Sequence, residues 1–111
     1  MQNPSIHVVR APEAQHRNSF GVAFELLATG PQCMMTKMHY RVGNVIPWHA
    51  HPNEQIGYIL FGRTRVRTMD TVVELGAGDT YSIPAGVEHS IEIVEDADEV
   101  QVFTPPRPEF R

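Results

Sequence analysis

The sequence has very few of the features on which several classes of protein depend. It contains one cysteine, Cys33, so no disulfide can form within the chain. No apolar run is long enough to span a membrane, and residues 1–10 lack the apolar core of a secretory signal. We therefore expect a cytoplasmic protein without membrane contact. Cys33 is expected to be a small buried apolar residue.

Positive charge is also scarce. Nine Lys and Arg residues against 13 Asp and Glu residues give a net charge of −4, the opposite of what a nucleic-acid partner requires. The one basic run carries Arg63, Arg65 and Arg67 at alternating positions. That spacing is typical of the solvent-facing side of a strand. The sequence predicts no nucleic-acid partner.

Helical periodicity is almost absent, and short strand-like runs take its place. Segments rich in Val, Ile, Thr, Tyr and Phe are separated by Gly, Pro, Asn and Asp, which favours an all-β sandwich or barrel. The length suits a single domain over residues 1–111, with an N-terminal arm (1–19) and a proline-rich tail (105–111). The predicted strands are residues 21–29, 32–42, 55–62, 63–69, 71–75, 80–85, 89–94 and 99–105, and residues 95–98 are predicted to form a turn.

Three histidines suggest a metal site. His49 and His51 are two residues apart, so in a strand their imidazoles share one face, and His89 follows the tight-turn sequence PAG. If the alternation continues, Gln55 lies on the same face and Glu54 points away. Three imidazoles and one amide oxygen suit Zn, Fe, Ni, Mn or Co, and the sequence does not choose among these ions.

Two motifs that contain these residues resemble those of the cupin family. Residues 43–62, GNVIPWHAHPNEQIGYILFG, resemble the first motif, with glutamine at the usual acid position. Residues 78–93 resemble the second motif, with Ile93 where an asparagine is usual. The resemblance implies an antiparallel jelly-roll β-barrel, in agreement with the strand pattern. It also implies one divalent metal ion held by His49, His51, Gln55 and His89.

The first motif and the last strand are also similar to single-domain bacterial cupins of pectin and alginate degradation. Those proteins convert 4,5-unsaturated uronates to linear keto forms, with three histidines and a glutamine as metal ligands. Their cavity uses the pattern D-x-F-x-x-x-R, which here reads Gln101, Phe103 and Arg107. The resemblance implies that Arg107 clamps a carboxylate, and a free cation in the tail is the alternative. An amide does not exchange protons at neutral pH as an aspartate does. With Gln101 at this position, the resemblance implies binding of the substrate but does not decide whether the substrate is converted.

The strand before the first motif can present either of two faces to the cavity. One face carries Met34, Met38 and Tyr40, and the other carries Met35 and His39. We favour the first, since a tyrosine hydroxyl in an apolar cavity can donate to a ligand oxygen. Tyr81 is expected to pack in the core, and Gly57 is expected to leave space above the metal.

Three hypotheses of function remain open. The first is a metal-dependent enzyme acting on a small carboxylated sugar or keto acid, because four neutral ligands leave a dication its full charge and attract an anion. The second is an iron- or nickel-dependent dioxygenase, and the third is a non-catalytic module that binds a metal or a sugar acid. The expected partners are a small anionic molecule and a second copy of the chain, with residues 5–9 contributing an edge strand.

Overall fold

The computed structural model describes residues 5–111, which form eight antiparallel strands and two short 3₁₀ helices. The all-β prediction is confirmed. The strands are β1 (Gln15–Ser19), β2 (Val22–Thr29), β3 (Met34–Tyr40), β4 (Val45–His49), β5 (Glu54–Arg67), β6 (Val72–Gly76), β7 (Thr80–Ile83) and β8 (His89–Thr104), and the 3₁₀ helices are Ala11–Glu13 and Pro108–Phe110. Neither helix is long and apolar enough to cross a membrane.

Two long strands, β5 and β8, belong to both layers of the barrel. They pair from Glu54 opposite Thr104 to Arg67 opposite Ser90. The C-terminal half of β8 continues through β3 and β2 to β1, and the first half of β5 pairs with β7. The N-terminal half of β8 pairs with β4, and the C-terminal half of β5 pairs with β6. One cluster of buried side chains from both layers forms the core.

The predicted turn at residues 95–98 is wrong, because β8 runs through it without ending. The opposing part of β5 shifts register between Ile59 and Thr64, so the strand pair bends instead of stopping. Gly62 lies at this bend with a φ of 85°, and a side chain there would collide with the backbone of Asp96 and Ala97. The same bend joins the predicted strands 55–62 and 63–69 into one.

Two further expectations about the N-terminal third need correction. Residues 15–19, assigned to the arm, form β1, whose sequence QHRNS is entirely polar and offers no apolar alternation to detect. A two-residue loop, Phe20–Gly21, connects it to β2. Cys33 is exposed, because it lies in the loop before β3 and outside any strand.

On three neighbouring strands, buried residues alternate strictly with more accessible ones and build the interior wall of the site. The inward residues are Met34, Thr36, Met38 and Tyr40 on β3, Gln55, Gly57 and Ile59 on β5, and Glu99, Gln101 and Phe103 on β8. On β3 the inward face is therefore the one that carries Tyr40. On β5, Gln55 points inward and Glu54 is exposed, as the alternation predicts.

Candidate metal centre

The fold brings the three predicted histidines together at one end of the barrel. His49 ends β4 and lies opposite His89, the first residue of β8, while His51 lies in the loop before β5. One ring nitrogen from each histidine lies within 4.8 Å of the others. His51 and His89 are buried, and His49 is half-buried beside the cavity.

Backbone carbonyls orient all three rings in the same way. The Nδ1 atoms of His49, His51 and His89 lie 2.8, 2.9 and 2.9 Å from the carbonyl oxygens of Pro47, Asn53 and Val87. In each neutral ring Nδ1 therefore carries the proton, and Nε2 presents a lone pair. Such backbone contacts are the ones that commonly fix metal-binding imidazoles.

Burial keeps two of the rings uncharged. Desolvation lowers the pKa of His89 to about 4, with the neighbouring rings and Arg107 adding to the effect. Desolvation also lowers the pKa of His49, and the positive charge of Arg107 acts in the same direction. Both rings are neutral at pH 7 and available as ligands.

The position of Gln55 indicates that the cluster fits a cation. Its Oε1 lies 3.0 Å from Nε2 of His51, so two hydrogen-bond acceptors face each other when His51 is protonated on Nδ1. The Nε2 atom of His89 is buried and has no hydrogen-bond partner among residues 5–111. Because converging lone pairs without a proton between them repel, the donor set suits a divalent ion.

A buried polar network stands behind Gln55. Its Nε2 donates to the Tyr81 hydroxyl (2.9 Å), and that hydroxyl donates to Oε2 of Glu99. The same Glu99 oxygen accepts from Nε2 of Gln101 (3.0 Å). Tyr81 packs against the core, as expected, and its hydroxyl also links Gln55 to the Glu99 carboxylate.

Glycine at position 57 makes room for this network rather than for a ligand above the metal. A methyl group on Gly57 would overlap the ring of Tyr81 and the carboxylate of Glu99. In the sheet, Gly57 lies between Tyr81 on β7 and Gln101 on β8. The expectation that it opens space above the metal is therefore wrong.

Of the three residues predicted for the far wall, Gln101 and Arg107 line the cavity, and Phe103 does not. Gln101 donates from Nε2 to the Tyr40 hydroxyl (3.1 Å), and both residues line the cavity. Phe103 is buried with its ring 5.7 Å from that of His51. Arg107 also lines the cavity, so it is not a free cation of the tail.

The guanidinium of Arg107 is held by aromatic rings. Its Cζ atom lies 5.1 Å from the ring centroid of Phe103 and 4.2 Å from that of Phe110. Only 11% of the side chain is exposed, and Nη2 lies 3.1 Å from the Glu109 carboxylate. Burial lowers the pKa of Arg107, while Glu109 raises it. The guanidinium keeps its charge and is fixed in place.

Glu99 and Phe20 are among the residues of the site that the sequence did not predict. Glu99 shares the inward face of β8 with Gln101 and Phe103, so alternation along that strand could have identified it. Phe20 lies at the cavity mouth with its ring 5.5 Å from that of His49. No local pattern could have identified Phe20, because the hairpin that carries it was not predicted.

Comparison with known proteins agrees with this geometry. An RmlC-like cupin from Shewanella frigidimarina and KdgF from Halomonas sp. each superpose with a TM-score of 0.87 at 23% sequence identity. The alignments cover 96% of this chain in both cases, and 97% and 100% of the other chains. Oxalate decarboxylase from Bacillus subtilis gives a TM-score of 0.76 at 23% identity, over 85% of this chain and 28% of its own. At these identities the likeness concerns the fold.

A search of curated proteins finds no significant sequence match. The family model described as "Cupin domain" matches residues 36–104, which include both motifs and most of the inner wall of the site. The barrel is accordingly a cupin jelly roll with a three-histidine cluster. The chain belongs to the cupin family.

Proposed function

We propose that this cupin is a metal-dependent enzyme that acts on a small carboxylated sugar or keto acid. The metal would be a divalent ion held by His49, His51, Gln55 and His89. The observation that carries the proposal is the convergence of three imidazoles and an amide oxygen at the edge of the cavity that Arg107 lines. The similarity to uronate-linearising cupins narrows the substrate class to an unsaturated uronate.

The charges around the cavity favour an anionic ligand. Its described lining residues include no carboxylate, and none of the four proposed ligands is an acid. The fixed guanidinium of Arg107 presents the planar donor pair that matches a carboxylate. Since the Glu109 carboxylate is exposed, a ligand carboxylate could replace it at Arg107 with little desolvation cost.

Tyr40 is the residue best placed to deliver a proton to the ligand. Burial and the charge of Glu99 raise its pKa well above the ordinary value, so the phenol stays protonated at neutral pH. Its oxygen accepts a hydrogen bond from Gln101, which leaves its own proton free to donate into the cavity. Gln101 thus orients a donor in place of acting as an acid itself.

The proposed reaction is an isomerisation and needs no external reactant. The bond between the anomeric carbon and the ring oxygen breaks as the anomeric hydroxyl loses its proton. The resulting enolate becomes a ketone when the neighbouring alkene carbon gains a proton, so the proton that the hydroxyl releases to solvent is balanced by the one that arrives at carbon. A bound divalent ion would supply Lewis acidity toward a ligand oxygen. Arg107 would hold the carboxylate throughout, and Tyr40 would donate the proton.

The test follows the ultraviolet absorbance of the conjugated alkene in a 4,5-unsaturated galacturonate. We expect the protein to accelerate its loss, and His51→Ala and Arg107→Gln to slow the loss at least about 100-fold. Arg65→Gln serves as the matched control, because Arg65 pairs with Glu92 on the outside of the barrel. A rate equal to that of buffer, from protein loaded with each of the five candidate ions, would refute catalysis.

A binding module is the second candidate, and it is favoured by the presence of an amide at position 101. Its amide is committed to donating to Glu99 and Tyr40, and no acid replaces it on the described cavity wall. Binding of the uronate, measured by calorimetry, without any change in absorbance would favour this function over the enzyme.

A further inference from the structure

Glu99 is a buried carboxylate that contacts neither the proposed ligand nor the three histidines. Its side chain has no exposed surface, and it does not line the cavity. Burial raises its pKa to about 7, with the hydrogen bonds from Tyr81 and Gln101 acting in the opposite direction. Burial of a carboxylate costs free energy unless hydrogen bonds compensate it, so the hydrogen-bond partners of Glu99 indicate its role.

The hydrogen bonds that lead from Glu99 to the metal cluster all run in one direction. Its Oε2 accepts the proton of the Tyr81 hydroxyl, so that hydroxyl oxygen is left as the acceptor for Nε2 of Gln55. The amide must then present Oε1 to His51. An amide oxygen binds a cation, whereas an amide nitrogen does not.

The opposite orientation of Gln55 would be favourable in the absence of a metal. If the amide turned over, its Nε2 would donate to Nε2 of His51, and its oxygen would accept from Tyr81. Both hydrogen bonds would be satisfied, and the cluster would lose its oxygen ligand. Something must therefore prevent the Tyr81 proton from pointing toward Gln55.

We propose that Glu99, acting through Tyr81, is a positioning residue that fixes the orientation of the Gln55 amide with its oxygen toward the three histidines. The inference rests on the ligand set of the proposed function. It accounts for the glycine at position 57, because a side chain there would occupy the space that Tyr81 and Glu99 fill. It also explains how a glutamine, which has two unlike ends, serves where a symmetric carboxylate would need no such control.

The test is a double-mutant cycle of Tyr81→Phe and Gln55→Glu, with Co²⁺ affinity measured by calorimetry on chelator-stripped protein. With Gln55 present, Tyr81→Phe should weaken Co²⁺ binding by about 10- to 100-fold. In the Gln55→Glu protein both ends of the side chain are oxygens, so the same change should alter affinity by less than about three-fold. Tyr58→Phe, on the exposed side of β5, is the matched control and should change nothing.

A second pair of variants keeps the test decisive if Tyr81→Phe fails to fold. Glu99→Gln retains an acceptor oxygen for Tyr81 and should keep Co²⁺ affinity within about three-fold, whereas Glu99→Met should lower it as Tyr81→Phe does. Equal losses in the unaltered and the Gln55→Glu backgrounds, or no loss in either, would overturn the positioning role alone. Absence of Co²⁺ binding by the unaltered protein would overturn the ligand set, and the positioning role with it.

Discussion

At the scale of single residues, the direction of the hydrogen bonds in the site depends on the position of Glu99, the one buried acid among residues 5–111. Glu99 precedes Gln101 by two positions on the same inward face of β8, so it lies one step deeper in the barrel. There it contacts Tyr81 and Gln101 and is shielded from the cavity. An acid at position 101 would face the ligand, whereas an acid at position 99 orients the residues that do.

The raised pKa of Glu99 predicts how stability depends on pH. The folded protein keeps the proton up to about pH 7, and the unfolded chain loses it near the ordinary value of 4.5. Between these values the folded state binds more protons, so this group makes the protein less stable as pH rises from about 4.5 to about 7. The total is on the order of 3 kcal/mol, since one pKa unit corresponds to about 1.4 kcal/mol.

Glu99→Gln removes this contribution and isolates it from other titrations. His89, whose pKa is lowered to about 4, stabilises the fold as pH rises over part of the same range, so the wild-type profile alone would show only the net effect. We expect Glu99→Gln to gain stability relative to the wild type as pH rises from about 5 to about 8. Urea unfolding of metal-free protein at several pH values measures the difference, and a constant difference would contradict the raised pKa.

At the scale of elements, the turn between β1 and β2 has a strained backbone that places the ring of Phe20 beside the cavity. Phe20 and Gly21 both have positive φ values, of 52° and 76°. This pattern suits Asn-Gly, and it is unfavourable for a bulky residue. Phe20 is also 52% exposed, so burial does not offset the strain. Its ring instead lies against His49 at the mouth of the cavity.

Phe20→Asn should therefore separate stability from ligand binding. We expect the free energy of unfolding to rise by about 1 kcal/mol, because asparagine accepts the left-handed conformation. Affinity for an unsaturated uronate should fall, because the aromatic wall of the mouth is lost. Thermal denaturation and calorimetry measure the two effects. Phe61→Asn, which changes a phenylalanine of similar exposure on β5, is the control. A loss of stability in Phe20→Asn would contradict the strain.

The long strands show where local sequence patterns stop being informative. The polar residues 95–98 resemble a turn, and only the pairing of β8 with the bent part of β5 keeps them in a strand. Pairing of this kind depends on residues about 35 positions away in the sequence, which no local window contains. Gly62 belongs to a motif that the sequence makes visible, but its close approach to Asp96 and Ala97 exists only in the folded barrel.

At the scale of the whole molecule, the all-β architecture and the histidine cluster could be predicted because each depends on short-range spacing. The spacing of the two motifs identifies His49, His51, Gln55 and His89, although His51 lies in the loop between β4 and β5 and not in a strand as expected. The polar network could not be predicted in the same way. Tyr81 and Glu99 meet only because β7 and β8 both pair with β5, with Gly57 between them. The orientation of an amide depends on that arrangement.

The homodimer stays a prediction, and the outer surface of the barrel offers a face for it besides the edge strand expected from residues 5–9. Met35, Ile56, Tyr58 and Leu60 lie on the exposed side of neighbouring strands, and each is between 38% and 48% exposed. Val100 and Val102 complete an apolar groove with them. A contiguous apolar patch of this kind is typical of a protein–protein contact, and a two-fold axis through it would pair the patch with itself.

Sedimentation of a variant with lysine in the centre of this face tests the assembly. Ile56→Lys would bring two like charges together across a two-fold axis, so we expect a monomer at concentrations where the unaltered chain is a dimer. Val42→Lys introduces the same charge at an exposed valine in the turn before β4 and should leave the dimer intact.

Removal of residues 1–10 distinguishes the alternative, in which residues 5–9 supply an edge strand. A monomer after that removal, together with a dimeric Ile56→Lys protein, would assign the contact to those residues. The apolar groove would then need another partner.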